Sequence, residues 1–187
     1  MLPEISLNIL DISQNSISAD ATLIEIRVDI NTVKKQLFVM ITDNGKGMSQ
    51  EQLALVADPF FTTRTTRNIG LGVPFFKQAA ECTGGDFSIT SDQGKGTSVI
   101  ALFCMDHIDC MPLGDINATI HSLVTMNESI DFCYEYRGND DFFELDTREM
   151  RKILGDVSFQ QPEVSEFLRN YLEENETEIN KKQNYEK

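Results

Sequence analysis

The hydrophobic positions of this chain change period several times, and each change marks an element. Between Leu2 and Ala19, apolar residues fall at Ile5, Ile9 and Ile12, the three- and four-residue spacing of a helix with one buried face. Asp11 and Asn15 are four apart, so they share one face of that helix. From Thr22 to Ile30 the period drops to two: Ile24, Ile26, Val28 and Ile30 alternate with other residues and predict a half-buried strand. Gln36–Thr42, dense in Leu, Phe, Val and Ile, predicts a second strand, and polar NTVKK joins the pair as a hairpin. Ser49–Val56 predicts a short helix, with Ser49 as N-cap and Gln52 three residues on, the pattern of a capping box. Ala57–Asn68 is polar and irregular. Gly70–Thr83 predicts a helix closed by Gly84-Gly85. Asp86–Thr90 and Thr97–Cys104 are strands on either side of the turn SDQGKG. This order predicts an α+β fold, a two-layer sandwich with helices on one face of a mixed, largely antiparallel sheet.

Past Pro112 the pattern starts again. Asp115–Met126 predicts a helix, Ile130–Tyr136 and Asp141–Leu145 a hairpin around RGND, Thr147–Leu154 a helix capped by Thr147, and Pro162–Glu174 a helix with Pro162 in its first turn. The polar tail from Asn175 is expected to fray. Charge marks the same boundary. Residues 1–105 carry 11 acids and 8 bases, whereas residues 106–187 carry 19 acids and 8 bases, which leaves most of the net −14 in the second part. We therefore expect a domain over 1–105 and, over 106–187, an acidic αββα segment that either binds a partner or covers the sheet.

The acidic balance argues against non-specific nucleic-acid binding, which needs a basic face. No apolar run approaches the length that spans a bilayer, and MLPEISLNILDISQ has no basic region or cleavage-like site, so the expected location is cytoplasmic, away from the membrane. Four cysteines without CxxC spacing read as reduced, mostly buried thiols, and two isolated histidines, His107 and His121, do not suggest a metal site.

Four motifs carry candidate chemistry: ILDISQNS on the first helix, DNGKGM at the end of the second strand, DPFFTTR leading through TTRNIGLG into a helix, and GKGT opening the last strand of the first part. Each has a plain reading. Asp-Asn-Gly is turn chemistry, a helical Asp and Asn are usually solvated, IGLG is a helix entry and GKGT a hairpin turn.

Together, and in this order, the motifs resemble those of the GHKL ATPases, named for gyrase, the heat-shock chaperones, histidine kinases and the MutL mismatch-repair proteins. ILDISQNS resembles the N box, DNGKGM the first glycine box, PFFTTR the F box, IGLG the second glycine box and GKGT the third, over roughly residues 4–104. The resemblance implies that this is an ATP-binding domain using Mg²⁺. It implies that Asp43 accepts a hydrogen bond from the adenine amino group, that Gly45 and Gly47 let the backbone approach the base, and that Asn15 holds Mg²⁺. Gly70, Leu71 and Gly72 would lie under the phosphates, and Thr97 would help close the base pocket. The matching boxes extend the expected nucleotide contacts to Met48, Phe60, Thr62, Thr63 and Arg64. Two departures stand out: Asn68 occupies a position where the family often has glycine, and the lid, Asp58 to Ile69, is short, with Arg64 and Arg67 in it.

Sensor kinases of this family place a helical hairpin with a phosphoacceptor histidine before the N box, and here only MLP precedes the first helix, so an acceptor is expected in trans. Asp11 stands where the gyrase and MutL branches and the anti-sigma-factor serine kinases typically carry a glutamate that resembles a general base. The shorter aspartate either serves that role or only orders the pocket. Three readings follow: a kinase acting on a protein partner, an ATPase or ATP-sensing switch read by a partner, and a non-catalytic nucleotide-binding module.

Overall fold

A computed structural model describes residues 2–56 and 72–185. The first helix, α1 (Ile5–Ser18), buries Ile5, Ile9 and Ile12. It starts later than Leu2 because its first amides are capped from far along the chain: Ile5 N and Ser6 N donate to the Pro112 and Leu113 carbonyls at 3.0 and 2.8 Å. Strands β1 (Leu23–Asn31) and β2 (Gln36–Asp43) form the expected hairpin, with Ile26 opposite Ile41. Helix α2 (Gln50–Val56) begins with the capping box read from the sequence: Gln52 N donates to Ser49 Oγ at 3.3 Å and Ser49 N to Gln52 Oε1 at 2.9 Å. Helix α3 (Gly72–Glu81) is followed by Gly84 in the left-handed region, and then by β3 (Asp86–Asp92) and β4 (Gly96–Cys104).

The remaining elements are α4 (Ile116–Met126), β5 (Asp131–Gly138), β6 (Asp141–Asp146), α5 (Thr147–Leu154) and α6 (Pro162–Tyr185). One six-stranded sheet results, in the order β3-β4-β2-β1-β5-β6. Every pairing is antiparallel except β1 with β5. Alternation buries one face of it: Ile24, Ile26 and Val28 of β1, Leu37, Val39 and Ile41 of β2, Val99, Ala101 and Phe103 of β4, and Phe132, Tyr134 and Tyr136 of β5. Helices α3, α1, α4 and α6 lie side by side on that face. The sheet and its core run across the change in charge at residue 105, because β5 pairs with β1 along its whole length.

Three local expectations need correcting. Thr147 is not the cap of α5; Asp146 is, accepting from Arg148 N, while buried Thr147 accepts from Phe132 N through its hydroxyl at 2.8 Å. The tail past Asn175 is helical to Tyr185, because a narrow stripe of Leu168, Leu172 and Ile179 is buried against the rest of the core. None of the four cysteines is fully buried: Cys82 is exposed just beyond α3, and Cys104, Cys110 and Cys133 are half-buried. Among the described residues, no helix is long and apolar enough to cross a membrane.

Candidate functional site

The apolar stripe of α1 continues Ile5, Ile9, Ile12 and then reaches Ser16, a polar residue on a core-facing position. Such a hydroxyl needs a partner. It finds one at the end of β2, where Ser16 Oγ donates to Asp43 Oδ2 at 2.6 Å. Asp43 points to the helix side because the β2 alternation that buries Leu37, Val39 and Ile41 continues to it, and it is 9% exposed. Its other oxygen, Oδ1, accepts from Gly45 N at 2.8 Å. A carboxylate has about four acceptor sites, so this one keeps unused capacity.

The turn after Asp43 is fixed by its own chemistry. Asn44 Oδ1 accepts from Thr22 N and Leu23 N, both at 2.9 Å, and ties the turn to the start of β1. A β-carbon at Gly45 would lie 2.7 Å from the Ala19 carbonyl, so the turn sits directly on the end of α1. The β3–β4 turn closes the other side. Gly96 has φ +118°, and a β-carbon there would lie 1.9 Å from the Asp43 carbonyl; at Gly47, φ +61°, it would lie 2.0 Å from the Asp92 carbonyl. Only glycine permits both the torsions and the approach. Ser91 Oγ joins the two turns: it accepts from Met48 N and donates to the Gly96 carbonyl, each at 2.9 Å. Its single proton is then spent, so the 2.9 Å contact with Thr97 Oγ1 has Thr97 as donor, leaving the Thr97 oxygen free to accept.

These elements enclose a cavity of about 730 Å³. Ile12, Ile41, Met48, Val73, Ile89 and Val99 give it an apolar lining, and Asn15, Ser16, Asp43 and Thr97 supply the polar edge. An apolar cleft of several hundred Å³ with a few converging polar groups is what a small-molecule site requires. Of the residues expected from sequence, Asn15, Asp43, Gly47, Met48 and Thr97 come together on its wall. Gly45 stands behind Asp43. Asp11, one helical turn before Asn15, is off that wall at the start of α3, where a β-carbon on Gly72 would lie 2.1 Å from Asp11 Oδ2. Phe60, Thr62, Thr63, Arg64, Arg67, Asn68, Gly70 and Leu71 lie outside the described residues. Ser16 and Ser91 were missed. Ser16 had a signal, a polar residue on the buried stripe; Ser91 had none, because its role depends on the register of β3 with β4. His121 holds two helices together, Nε2 lying 2.9 Å from Ser165 Oγ, and His107 is exposed beside Asp109.

Residues 2–107 match the family model described as "Histidine kinase-, DNA gyrase B-, and HSP90-like ATPase". The chain belongs to this family. Its relatives include a "Putative sensor protein" of Shewanella frigidimarina, 29% identical over 109 residues, 58% of this chain and 16% of that protein. Sporulation kinase D of Bacillus subtilis is 29% identical over 91 residues, 49% of this chain and 18% of the kinase. The sensor histidine kinase ZraS of Escherichia coli is 35% identical over 60 residues, 32% of this chain and 13% of that one. The chain thus spans less than a fifth of each of these relatives. In fold it is similar to the Aquifex aeolicus MutL ATPase domain complexed with ADP, at TM-score 0.50 and 12% identity over 78% of this chain and 64% of that one. It is also similar to the N-terminal domain of a DNA repair protein, at TM-score 0.54 and 15% identity, over 78% of this chain and 52% of that one. A 78% share is more than residues 2–107 supply, so the likeness in fold takes in part of the acidic segment. This GHKL ATPase domain is therefore related to those of histidine kinases and has the fold of the MutL ATPase domain.

Proposed function

We propose that this domain binds ATP with Mg²⁺ in the cavity beside Asp43 and, in the cytoplasm, phosphorylates a protein partner supplied in trans. The observation that carries the reading is the Asp43 carboxylate. It is buried, held on both oxygens by Ser16 and Gly45, and set at the edge of an apolar cleft with acceptor capacity left over. A fixed anion there accepts from the amine that adenine carries at C6 and repels the carbonyl oxygen that guanine carries at the same ring position. The residues present fit the nucleotide: Ile41, Ile89 and Val99 offer a base-sized apolar lining, and the close approach at Gly47 and Gly96 keeps the wall free of side chains. Asn15 would hold Mg²⁺ through its amide oxygen, a neutral ligand suited to a hard cation already carried by anionic phosphates. Bound there, Mg-ATP supplies a transferable phosphoryl group. Asp11 would take the proton of the attacking hydroxyl. Relatives named as a sensor histidine kinase and a sporulation kinase support transfer to protein.

One observation favours a second reading, an ATP-sensing or ATP-hydrolysing switch without transfer. Asp11 abuts Gly72 at the start of α3 and is not on the cavity wall. Incubating the chain with γ-labelled ATP and a cell extract separates the two. Label on a second protein supports the kinase; label released only as free phosphate supports the hydrolysing switch; label on neither rejects transfer and hydrolysis alike and leaves only ATP sensing.

A further inference from the structure

The sheet has two edges, and they differ. At one, β3 is flanked by α2. At the other, β6 pairs only with β5 among the described residues. The Glu144 carbonyl accepts from Tyr171 Oη at 3.3 Å, so the backbone of Glu144 faces away from β5. Antiparallel alternation turns that of Phe142 outward as well. Apart from that Tyr171 contact the outward N–H and C=O groups of Phe142 and Glu144 have no backbone partner among the described residues, and an unpaired strand edge is a template for another strand.

The side chains around this edge define what fits. Helix α6 runs antiparallel to β6 beside it: Lys182 reaches Asp141 at 3.5 Å and Tyr171 packs on Phe143, with ring centroids 6.2 Å apart. Phe167 stacks on Tyr171 and is 59% exposed. On the opposite side of the sheet Phe142 is 56% exposed under the Arg137 guanidinium. Arg137 is committed to Glu135 and Lys182 to Asp141 and Glu178, whereas Asp140 and Glu144 have no ion pair among the described residues. The edge therefore offers exposed aromatic surface and uncompensated negative charge.

A second copy of this chain does not suit it. Two β6 strands paired about a two-fold axis place Glu144 opposite itself when centred on Glu144; centred on Phe142 or Phe143, they bring Glu144 or Asp146 against Asp140 of the turn that precedes β6. Like charges directly opposite destabilise a strand pair.

We infer that the free edge of β6 receives an extended basic segment of a partner protein as a seventh strand, with apolar side chains on the Phe167–Tyr171 side alternating with lysine or arginine facing Glu144. The inference rests on the edge alone and stands whether or not the cavity binds ATP.

The test uses the full chain and a capped hexapeptide alternating lysine and valine, with affinity from calorimetry and site assignment from amide hydrogen exchange, in the presence and absence of ATP. The expected result is slowed exchange at Phe142 and Glu144, unaffected by ATP. Methylating the peptide's pairing amides should abolish it. Glu144→Lys, an exposed change, should weaken binding by up to about fivefold through the loss of one cross-strand pair. No binding, protection at β3 instead, equal binding of a glutamate–valine peptide, or a dimer in sedimentation that Glu144→Lys disrupts would each overturn the inference.

Discussion

Asp43→Asn isolates the charge of the key acceptor with almost no change in shape. In the native site Oδ2 takes the Ser16 hydroxyl at 2.6 Å and Oδ1 the Gly45 amide at 2.8 Å. The Gly45 N–H is a fixed backbone donor, so an asparagine must turn its oxygen toward it. The new amide NH₂ then faces Ser16, whose hydroxyl rotates to accept. Both local bonds survive as neutral ones, and folding should lose only about 1 kcal/mol, the difference between charge-assisted and neutral bonds. An incoming exocyclic amine fares worse, since it meets a donor where it needs an acceptor. Losing a charge-assisted bond of about 1.5–3 kcal/mol weakens the complex by roughly ten- to hundredfold. Calorimetry with ATP measures the affinity, and thermal unfolding checks that the variant is folded. Equal ATP affinity in a folded Asp43→Asn protein would mean that the carboxylate does not touch the base.

Asn15→Ala should abolish the Mg²⁺ dependence of ATP binding while leaving binding in EDTA unchanged, read by calorimetry with and without the metal. If Asp11 is the base, Asp11→Asn should keep ATP affinity and cut turnover by roughly 10²–10⁴-fold; if it only supports α3, affinity and turnover should fall together. Gly96→Ala should destabilise the fold by at least about 1–3 kcal/mol of backbone strain, because φ is +118° and the new methyl would meet the Asp43 carbonyl; denaturant unfolding measures it. Burial lifts the Glu176 carboxyl above its ordinary 4.5, against hydrogen bonds from Asn117 and Asn180 that favour the anion. A raised folded value gives stability that is full below about 4.5 and is lost as pH rises through that value, so Glu176→Gln should gain on wild type as pH rises toward 7, seen as diverging melting temperatures.

The first part of the chain was legible because its cues are local. Period changes at Thr22 and Gln36, the Ser49–Gln52 box and the Gly84-Gly85 stop each act within a few residues. The same holds for DNGKGM, where glycine and Asx chemistry determine a turn. What stayed hidden depends on partners distant in sequence. Ser91 matters only because β3 pairs with β4 in the register that puts it beside Thr97. Thr147 looked like a cap, but Phe132 N claims its hydroxyl across fifteen residues. The α6 extension was masked by composition: past Asn175 a single buried apolar residue, Ile179, continues the stripe that Leu168 and Leu172 begin, packed on α4 and β5. The parallel joining of β5 to β1, which merges the acidic segment with the sheet, is a tertiary choice that no local pattern announces.

The most direct test of the central claim is a crystal structure of the chain with Mg²⁺ and a non-hydrolysable ATP analogue. The adenine amine should lie about 2.7–3.2 Å from an Asp43 carboxylate oxygen, with the base against the adjacent Ile41 and Val99 side chains and the metal at Asn15. An adenine bound elsewhere, or seated with its amine away from Asp43, would contradict it.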